Sequence, residues 1–351
     1  IITFTSKYKM SKKKILIPLI IFSTILTTGS VYTYQMLYSP NFLINAEDKF
    51  IIIEENTDFN ELIKKLEDDT LINDILSFSF LSKLMEYQEN IKIGAYKVKM
   101  NMSNYEMITM LRSGNQTPIK LTFTYARKIE DLAEKITTKL KMSKDDLLNY
   151  LNENINNYSG FKKTDIISIF LPDTYEVYWN ISPEKLTNKM YSEYKKFWNE
   201  ERLSKLDKIN LNQKEAIVLA SIVASESRML DEADRIAGLY INRLNRNMRL
   251  QADPTLIFAA NDFTIRRVLN KHKKIKSPYN TYIHRGLPPG PIRLASKKYI
   301  DAVLNYEKHN YIYMCAKEDF SGYHAFATNL SDHNRNAKKF QIALNMRKIY
   351  R

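Results

Sequence analysis

The stretch NQKEAIVLASIVASES, residues 212–227, is the part of the chain that says most about its fold. Apolar side chains recur along it at helical spacing, at Ala216, Ile217, Ala220 and Val223. This period predicts a helix with a buried stripe. Glu226 falls near the C-terminal end of that helix, after a run of small and apolar residues. Periodicity alone does not distinguish this carboxyl group from a solvated surface charge.

Two segments continue this pattern. Residues 232–247, EADRIAGLYINRLNRN, predict a second helix with a buried face formed by Ile236, Leu239, Tyr240 and Leu244. Residues 248–255 read MRLQADPT, in which Asp253 fits either an N-cap followed by Pro254 at the first helical position or a contact with a ligand. Gln251 has no obvious capping role, which favours a hydrogen bond from its side chain to a ligand.

The composition predicts a folded chain of about two domains. Its 351 residues are 44% apolar, enough for ordinary cores, and only 8 are Gly and 10 are Pro, which argues against collagen-like or low-complexity architectures. The net charge is +14, but basic residues are mixed with acidic ones, as on solvated helix faces. We therefore expect no nucleic-acid partner, and an anionic membrane surface or cell-wall polymer is the more natural one.

Metal-ligating residues are sparse. Cys315 is the single cysteine, and no two of the five histidines stand four residues apart as in a helical metal site. The sequence therefore predicts neither a metal site nor a cofactor.

The N-terminal part of the chain predicts a membrane anchor. No charged residue occurs from Ile15 to Ala46, and lysines are clustered just before this segment. We expect a transmembrane helix over 15–36, a cytoplasmic basic tail over 1–14, and an extracytoplasmic location for everything after the helix. A cleaved signal peptide is the main alternative, since Thr28-Gly29-Ser30 offers small residues, and a buried core helix is a third.

Two strand-then-helix units are expected further along the chain. The first has a short apolar run at 50–53 followed by a helical pattern from Phe59, and the second has alternating residues at 119–124 followed by a similar pattern from Ile129. Between them, Ser103 and Gly114 are typical start and stop residues of a helix. These patterns indicate a small α+β domain over 45–115, a connecting strand-helix module over 116–160, and a larger domain over 161–351.

Several motifs in this order resemble the endolytic murein transglycosylase, or YceG-like, family. They are FLPDTYE at 170–176, ASIVASES at 220–227, YINRL at 240–244, MRLQADPT at 248–255, SPYNTYIHRGLPPGPI at 277–292 and HAFATNLSDHN at 324–334. The resemblance implies an α+β architecture with one N-terminal transmembrane helix, a LysM-like domain over 45–115 and a YceG-like catalytic domain over 161–351. Ala224 stands where the family usually has an acidic residue, and Ile167-Ser168 where it often has Glu-Gly.

The resemblance also implies an activity. The family cleaves nascent peptidoglycan glycan strands internally, between MurNAc and GlcNAc, without water, and leaves 1,6-anhydroMurNAc ends. By this resemblance Glu226 is the catalytic residue, and the substrate-binding residues are Gln251, Asp253, Tyr279, Asn280, Tyr282, His324, Asn329, His333 and Asn334. The expected partners are glycan strands, the lipid bilayer and peptidoglycan synthases.

One carboxyl group is enough for such a reaction, because the C6 hydroxyl of the substrate replaces water as nucleophile. The acid must stay protonated near neutral pH, and a helix that continued beyond Glu226 would surround it with Ile222, Val223 and Leu230. Asp231, Glu232 and Asp234 are expected at the start of the next helix, near its positive end. A muramidase-type hydrolase using Glu226 with Asp253 is one alternative. A non-catalytic membrane scaffold that binds the cell wall is the other.

Overall fold

The computed structural model of the chain describes residues 12–44, 49–158, 160–227, 229–265 and 267–347. Its helices are α1 Lys12–Tyr38, α2 Phe59–Asp68, α3 Ile75–Leu84, α4 Asn104–Ser113, α5 Ile129–Thr137, α6 Lys144–Glu153, α7 Pro183–Phe197, α8 Glu200–Ile209, α9 Gln213–Glu226, α10 Ala233–Asn245, α11 Asp253–Ala260, α12 Lys297–Leu304 and α13 Leu330–Met346. Its strands are β1 Pro40–Phe42, β2 Lys49–Ile53, β3 Gly94–Val98, β4 Met102–Ser103, β5 Ile119–Phe123, β6 Asp173–Val177, β7 Tyr313–Ala316 and β8 His324–Ala327. The fold is thus a mixture of helices and strands, as the sequence predicts.

The chain divides into two compact units. The first comprises residues 1–119 and 178–180, and the second comprises 120–177 and 181–351. The predicted connecting module over 116–160 therefore falls mostly in the second unit, where β5 pairs with β6.

The N-terminal helix α1 is long and apolar. Its segment Ile15–Tyr38 has 24 residues and a mean hydropathy of 1.9, and it is about 36 Å long at 1.5 Å per residue. None of its most apolar part is buried inside the protein, which contradicts the buried-core-helix alternative. Length and composition suit both a membrane anchor and a signal sequence. The predicted basic tail lies outside the described residues as far as residue 11.

The first unit is built around an apolar core. Strands β2 and β3 form one antiparallel pair, β1 and β4 form another, and α4 packs against these strands and against α3. Helix α2 contributes Leu62 and Leu66 to the same core. Fully buried side chains from all these helices meet in this core, among them Leu62, Leu66, Phe78 and Leu111. The first strand-then-helix unit predicted from the sequence is confirmed here as β2 and α2.

The helix boundaries in this unit follow local capping chemistry. Asp58 and Glu61 form a reciprocal capping box at the start of α2, and Ser103 and Glu106 form another at the start of α4. Gly114 ends α4 in the left-handed conformation, with φ of 72°. The predicted start and stop of α4 are therefore confirmed.

Helix α9 is the centre of the second unit. All nine residues from Ala216 to Ala224 are buried, and the helix packs against α8, α10, α11 and α12. The single buried stripe predicted from the sequence is thus too narrow, because a helix enclosed by neighbours on all sides must be apolar around its circumference. Asn212 and Glu215 cap its N-terminus reciprocally. Helix α9 therefore forms a rigid support for the residue at its other end, Glu226.

The C-terminal part of the second unit completes the fold around α10. Strands β7 and β8 pair antiparallel, and α13 packs against both. Asn242 on α10 donates from its side-chain nitrogen to the carbonyl oxygens of His309 and Tyr311, at 2.7 and 3.0 Å. These bonds hold the segment that leads into β7 against α10.

Candidate active site

A cavity of about 540 Å³ opens where the end of α9, helix α10, the start of α11, β7, β8 and the start of α13 come together. Seven residues predicted to form the site line it: Glu226, Gln251, Asp253, Tyr282, His324, His333 and Asn334. Tyr279, Asn280 and Asn329 are not among its lining residues. A cavity of this size with several convergent polar groups is typical of a ligand site.

Glu226 is the last residue of α9, and the helix does not continue past it. Ser227 is extended, with φ of −127° and ψ of 142°, and its carbonyl oxygen accepts a hydrogen bond from the Tyr299 hydroxyl at 3.1 Å. The expectation that Leu230 would cover Glu226 from the next helical turn is therefore wrong. Leu230 instead starts a 3₁₀ turn and is exposed.

The environment of Glu226 favours its protonated form. The residue as a whole is half-buried, and desolvation of its carboxyl group raises the pKa to about 7, with the negative charge of Asp253 acting in the same direction. A hydrogen bond from Tyr240 and the nearby charges of His324 and Arg243 oppose this shift but do not cancel it. Near neutral pH, Glu226 is therefore able both to give and to take a proton.

Tyr240 and Arg243 also line the cavity, although the sequence did not predict them as site residues. The Tyr240 hydroxyl donates to Oε1 of Glu226 at 2.5 Å, although the sequence predicts Tyr240 only as part of the buried face of α10. Arg243, one turn further along, is buried and donates to the carbonyl oxygens of Ile312 and Leu250 at 2.6 and 2.7 Å. A charged residue on the same face as Tyr240 was the available signal, because an arginine is rarely buried without a specific role.

Asp253 faces the cavity and does not cap a helix. The N-cap of α11 is Ala252, which makes no side-chain cap, so the N-cap alternative for Asp253 is wrong. Its Oδ1 instead accepts a hydrogen bond from the Tyr282 hydroxyl at 2.5 Å. Gln251, two residues earlier, has a left-handed backbone with φ of 51°. Gln251 thus reaches the cavity from the irregular segment before α11, and Asp253 reaches it from the first residue of that helix.

The loop around Asn280 and Thr281 holds this segment in place. The Thr281 carbonyl oxygen accepts from the Gln251 backbone N–H at 3.1 Å, and the Thr281 hydroxyl accepts from that of Ala252 at 3.0 Å. Asn280 is fully buried, donates to the Lys273 and Ile275 carbonyl oxygens, and accepts from the Tyr282 backbone N–H. Its amide is therefore occupied in shaping the loop. The Tyr279 ring packs on Phe258 with a centroid distance of 4.7 Å.

His324 is paired with Glu232, an acidic residue at the start of α10. The Glu232 side chain accepts from the His324 backbone N–H through Oε1 and contacts His324 Nδ1 through Oε2, both at 2.8 Å. Glu232 is the N-cap residue of α10, so its predicted place at the start of that helix is confirmed, but it is only 4% exposed and its carboxylate is taken up by His324. The pair fixes the imidazole ring at the edge of the cavity.

The first turn of α13 supplies the remaining polar groups. Asn329 is the N-cap of this helix and accepts from the Asp332 backbone N–H at 2.9 Å. This cap explains why α13 starts where it does, and why His333 and Asn334 reach the cavity while Asn329 does not. The His333 ring stacks on Tyr313 at 5.2 Å, and burial together with the charge of Arg243 lowers its pKa. Its Nδ1 is buried and makes no hydrogen bond within the described part of the chain.

Across the described ranges, no three His, Cys, Asp or Glu side chains come together in a ligand arrangement.

Comparisons with known proteins agree with this arrangement. A family model described as the YceG-like family matches residues 51–339. The endolytic murein transglycosylase of Streptococcus pneumoniae is 25% identical over 92% of the chain, which in turn spans 64% of that protein's length. The enzyme of the same name from Bacillus subtilis is 35% identical over 44% of the chain and 40% of its own length.

A solved structure is also similar. The crystal structure of a YceG-like protein from Listeria monocytogenes matches with a TM-score of 0.55 and 26% identity, covering 82% of this chain and 98% of that one. The family match covers most of the chain, including every residue that lines the cavity except Phe340. The chain therefore belongs to the YceG-like family.

Proposed function

We propose that this chain cleaves peptidoglycan glycan strands internally, between MurNAc and GlcNAc, by non-hydrolytic transglycosylation that leaves 1,6-anhydroMurNAc ends. The observation that carries the proposal is Glu226, held at the end of a buried helix in a polar cavity with its pKa raised to about 7. The names of the Streptococcus pneumoniae and Bacillus subtilis relatives support the same activity.

The proposed reaction uses Glu226 twice. Its protonated carboxyl group gives a proton to the glycosidic oxygen as the bond from that oxygen to C1 of the muramic acid breaks. The C6 hydroxyl of the same sugar then forms the new bond to C1, and its proton returns to Glu226. No water is consumed, and because the nucleophile is tethered, no second carboxylate is needed to activate it. Tyr240 donates to Oε1, which leaves Oε2 to carry the proton.

Asp253 takes the role of an electrostatic partner in this proposal. As a carboxylate in the same cavity, it is suited to stabilise the positive charge that develops on the sugar ring. The hydrolase alternative uses Asp253 to activate water instead. Its location in the cavity keeps that alternative open, because the residue is not occupied in helix capping. The scaffold alternative is less favoured, since a carboxyl group in a desolvating site costs stability without serving a purely structural role.

The products distinguish the two enzymatic mechanisms. Purified glycan strands are digested in oxygen-18 water and the new ends are analysed by mass spectrometry. We expect anhydro ends, lighter than hydrolysed ends by one water and free of label. Labelled reducing ends as the main product would instead support the muramidase. Asp253→Asn is expected to keep the anhydro product under our proposal, whereas it should abolish turnover under the hydrolase mechanism.

The N-terminal helix is proposed to be an uncleaved membrane anchor, with the catalytic unit outside the cytoplasm. Its length and lack of charge support this role, and the bilayer is then a partner of the chain. Protease added to intact spheroplasts should degrade residues 120–347. Mass analysis of the mature protein should find Ile15–Tyr38 retained, and its loss would show a signal sequence.

The first unit is proposed to be a LysM-like module that holds glycan strands near the membrane. Its paired β2 and β3, with α2 and α3 between them in sequence, suit a small α+β binding module. Peptidoglycan synthases that supply nascent strands are proposed partners, and neither a cofactor nor a metal takes part in the proposed reaction.

A further inference from the structure

A second cavity lies next to the one that contains Glu226. It has a volume of about 600 Å³, and its lining includes Tyr125, Arg127, Phe263, Arg293 and Tyr299. We call it the arginine cavity. Ala224 and Ser225, just before Glu226, and Pro254, just after Asp253, also line it. The last turn of α9 and the first turn of α11 therefore contribute to both cavities.

Two guanidinium groups share the arginine cavity. Cζ of Arg293 lies 4.4 Å from the centroid of the Tyr125 ring, and Cζ of Arg127 lies 5.6 Å from the same centroid. The two groups are thus no more than 10 Å apart. Arg127 also lies 4.0 Å from the centroid of the Phe263 ring. Aromatic rings hold both cations in place without neutralising them.

Among the described residues, no carboxylate lies within 4.0 Å of either guanidinium group. Asp131 and Glu134 line a neighbouring cavity together with Arg127, but Asp131 accepts from the Lys128 backbone and Glu134 pairs with Lys144. Both arginines are half-buried, and burial lowers the pKa of Arg293, with the charge of Arg127 acting in the same direction. Two like charges in a partly desolvated site are destabilising unless an anion joins them.

The arginine cavity is suited to a ligand in which a carboxylate is attached to an apolar group. A planar guanidinium binds a carboxylate through paired hydrogen bonds, and the rings of Tyr125, Phe258 and Phe263 offer apolar faces beside it. The cavity adjoins the residue proposed to cleave the bond at the muramic acid, and that sugar carries the stem peptide with its free carboxylates. We propose that the arginine cavity binds a carboxylate of the stem peptide on the muramic acid whose bond is cleaved, an inference that rests on the proposed function.

Arg127 is the better residue to change. Arg293 donates to the Ala224 carbonyl oxygen at 3.0 Å and so also supports the end of α9, whereas the described contacts of Arg127 are with aromatic rings. The test uses the full chain with glycan strands that carry stems and with the same strands after their stem carboxylates have been amidated. For Arg127→Gln, we expect the ratio of kcat/KM for the acid strands to the amidated strands to fall by about tenfold or more, mainly through KM.

Two further variants make the result specific. Arg127→Lys should recover part of the lost ratio, because it keeps the charge but not the paired donors. Arg246→Gln removes the same charge at an exposed position outside both cavities and should leave the ratio at the wild-type value. An unchanged ratio in Arg127→Gln, or an equal loss on both substrates, would overturn the inference.

Direct binding separates this inference from the proposed function. Wild-type chain and Arg127→Gln are titrated with a soluble stem peptide, with the same peptide amidated at its carboxylates, and with inorganic phosphate. Tighter binding of the acid form than of the amide, lost in Arg127→Gln, supports the inference even if no anhydro product is ever found. Equal affinity for acid and amide contradicts it. Arg127-dependent binding of phosphate alone would assign the cavity to a phosphate-bearing ligand and would likewise overturn it.

Discussion

The two units use buried polar side chains for opposite purposes. In the first unit, Asn41 donates to Oδ1 of Asn104 at 2.6 Å and to the Asp74 carbonyl oxygen at 2.8 Å, and Asn104 donates to the Met36 carbonyl oxygen. These bonds join α1, β1, α3 and α4. In the second unit, Glu226 and Tyr240 bond to each other beside an open cavity. Polar groups in the first unit thus stabilise the fold, whereas at the site burial disfavours the charge of Glu226 and the hydrogen bond from Tyr240 offsets this only in part.

Glu226→Gln is expected to have the largest effect on activity, because it removes the carboxyl group that distinguishes the site in the second unit. Removing the general acid is expected to lower the rate of anhydro-product formation by about 100-fold or more. Glu130→Gln, at an exposed position on α5, is the matched control and should retain the wild-type rate. A rate for Glu226→Gln within a few fold of wild type would remove Glu226 from the mechanism.

The same variant should also be more stable than wild type above neutral pH. The pKa of Glu226 is raised from 4.5 to about 7 in the folded chain, so the folded state loses stability as pH rises from the unfolded pKa through the folded one. Glutamine does not ionise and escapes this loss. At pH 8 the gain in unfolding free energy is at most roughly 3 kcal/mol, and at pH 4 the gain should vanish. Denaturant titrations at the two pH values measure it.

Leu66→Ala, in the first unit, should lower the stability of the chain instead of raising it. Leu66 is fully buried in the core of the first unit, so we expect about 2–5 kcal/mol of destabilisation from lost apolar contact and the cavity left behind. Hydrogen exchange of amides in 49–111 reports this loss locally. Leu76→Ala, on the 79%-exposed side chain of α3, is the control and should have little effect. If both variants lost protection equally, burial would not be what stabilises this unit.

Tyr240→Phe tests how the site tunes its acid. The Tyr240 hydroxyl lowers the pKa of Glu226, so its removal should raise that pKa and move the alkaline fall in activity to higher pH. A hydrogen bond to a charged group contributes about 1.5 kcal/mol or more, which corresponds to about one pH unit. A pH–rate profile of kcat/KM measures the shift. A fall at lower pH than in wild type would contradict the assigned role of Tyr240.

The two units also differ in how far the sequence predicted them. The capping boxes, β2 with α2, and the left-handed Gly114 follow from residues close in sequence, and all were predictable. The end of α9 near Glu226 was predicted as well, but the extended backbone of Ser227 was not, and the Tyr299 hydroxyl that binds its carbonyl oxygen lies 72 residues away. Glu232 does lie at the start of α10, as predicted, but its pairing with His324 was not predictable, because His324 is 92 residues further on and nothing nearby in sequence indicates the contact.

The left-handed backbone conformation of Gln251 was likewise not predictable from the residues around it. Its φ of 51° is unfavourable for a side chain with a β-carbon, and neither Gly nor Asn marks the position in the sequence. The hydrogen bonds of Thr281 to the backbones of Gln251 and Ala252 impose this conformation from outside the segment. Seven of the ten predicted site residues nevertheless line one cavity. The order of the motifs along the chain was enough to predict the fold that brings them together. The individual contacts were not predictable, because they depend on such long-range hydrogen bonds.

Gln251→Gly is the variant with the smallest expected effect on stability. Glycine adopts the left-handed conformation without strain, which favours the variant by about 1 kcal/mol, but it also gives the unfolded chain more freedom, which costs about 0.5–1 kcal/mol. The two effects nearly cancel, so the change in unfolding free energy should stay below about 1 kcal/mol. Activity should fall, because the amide that faces the cavity is gone and its proposed hydrogen bond to the glycan with it.

Asn261→Gly provides the matched comparison for this last case. Asn261 has the same φ of 51°, but it is exposed at the end of α11 and lies outside the cavity that contains Glu226. Both variants should change stability little, and Asn261→Gly should keep the wild-type kcat/KM, whereas Gln251→Gly should lose about tenfold, the contribution of roughly one hydrogen bond. If Gln251→Gly retained full activity, its left-handed backbone would serve only to connect α10 to α11, and the side chain would have no part in binding the glycan.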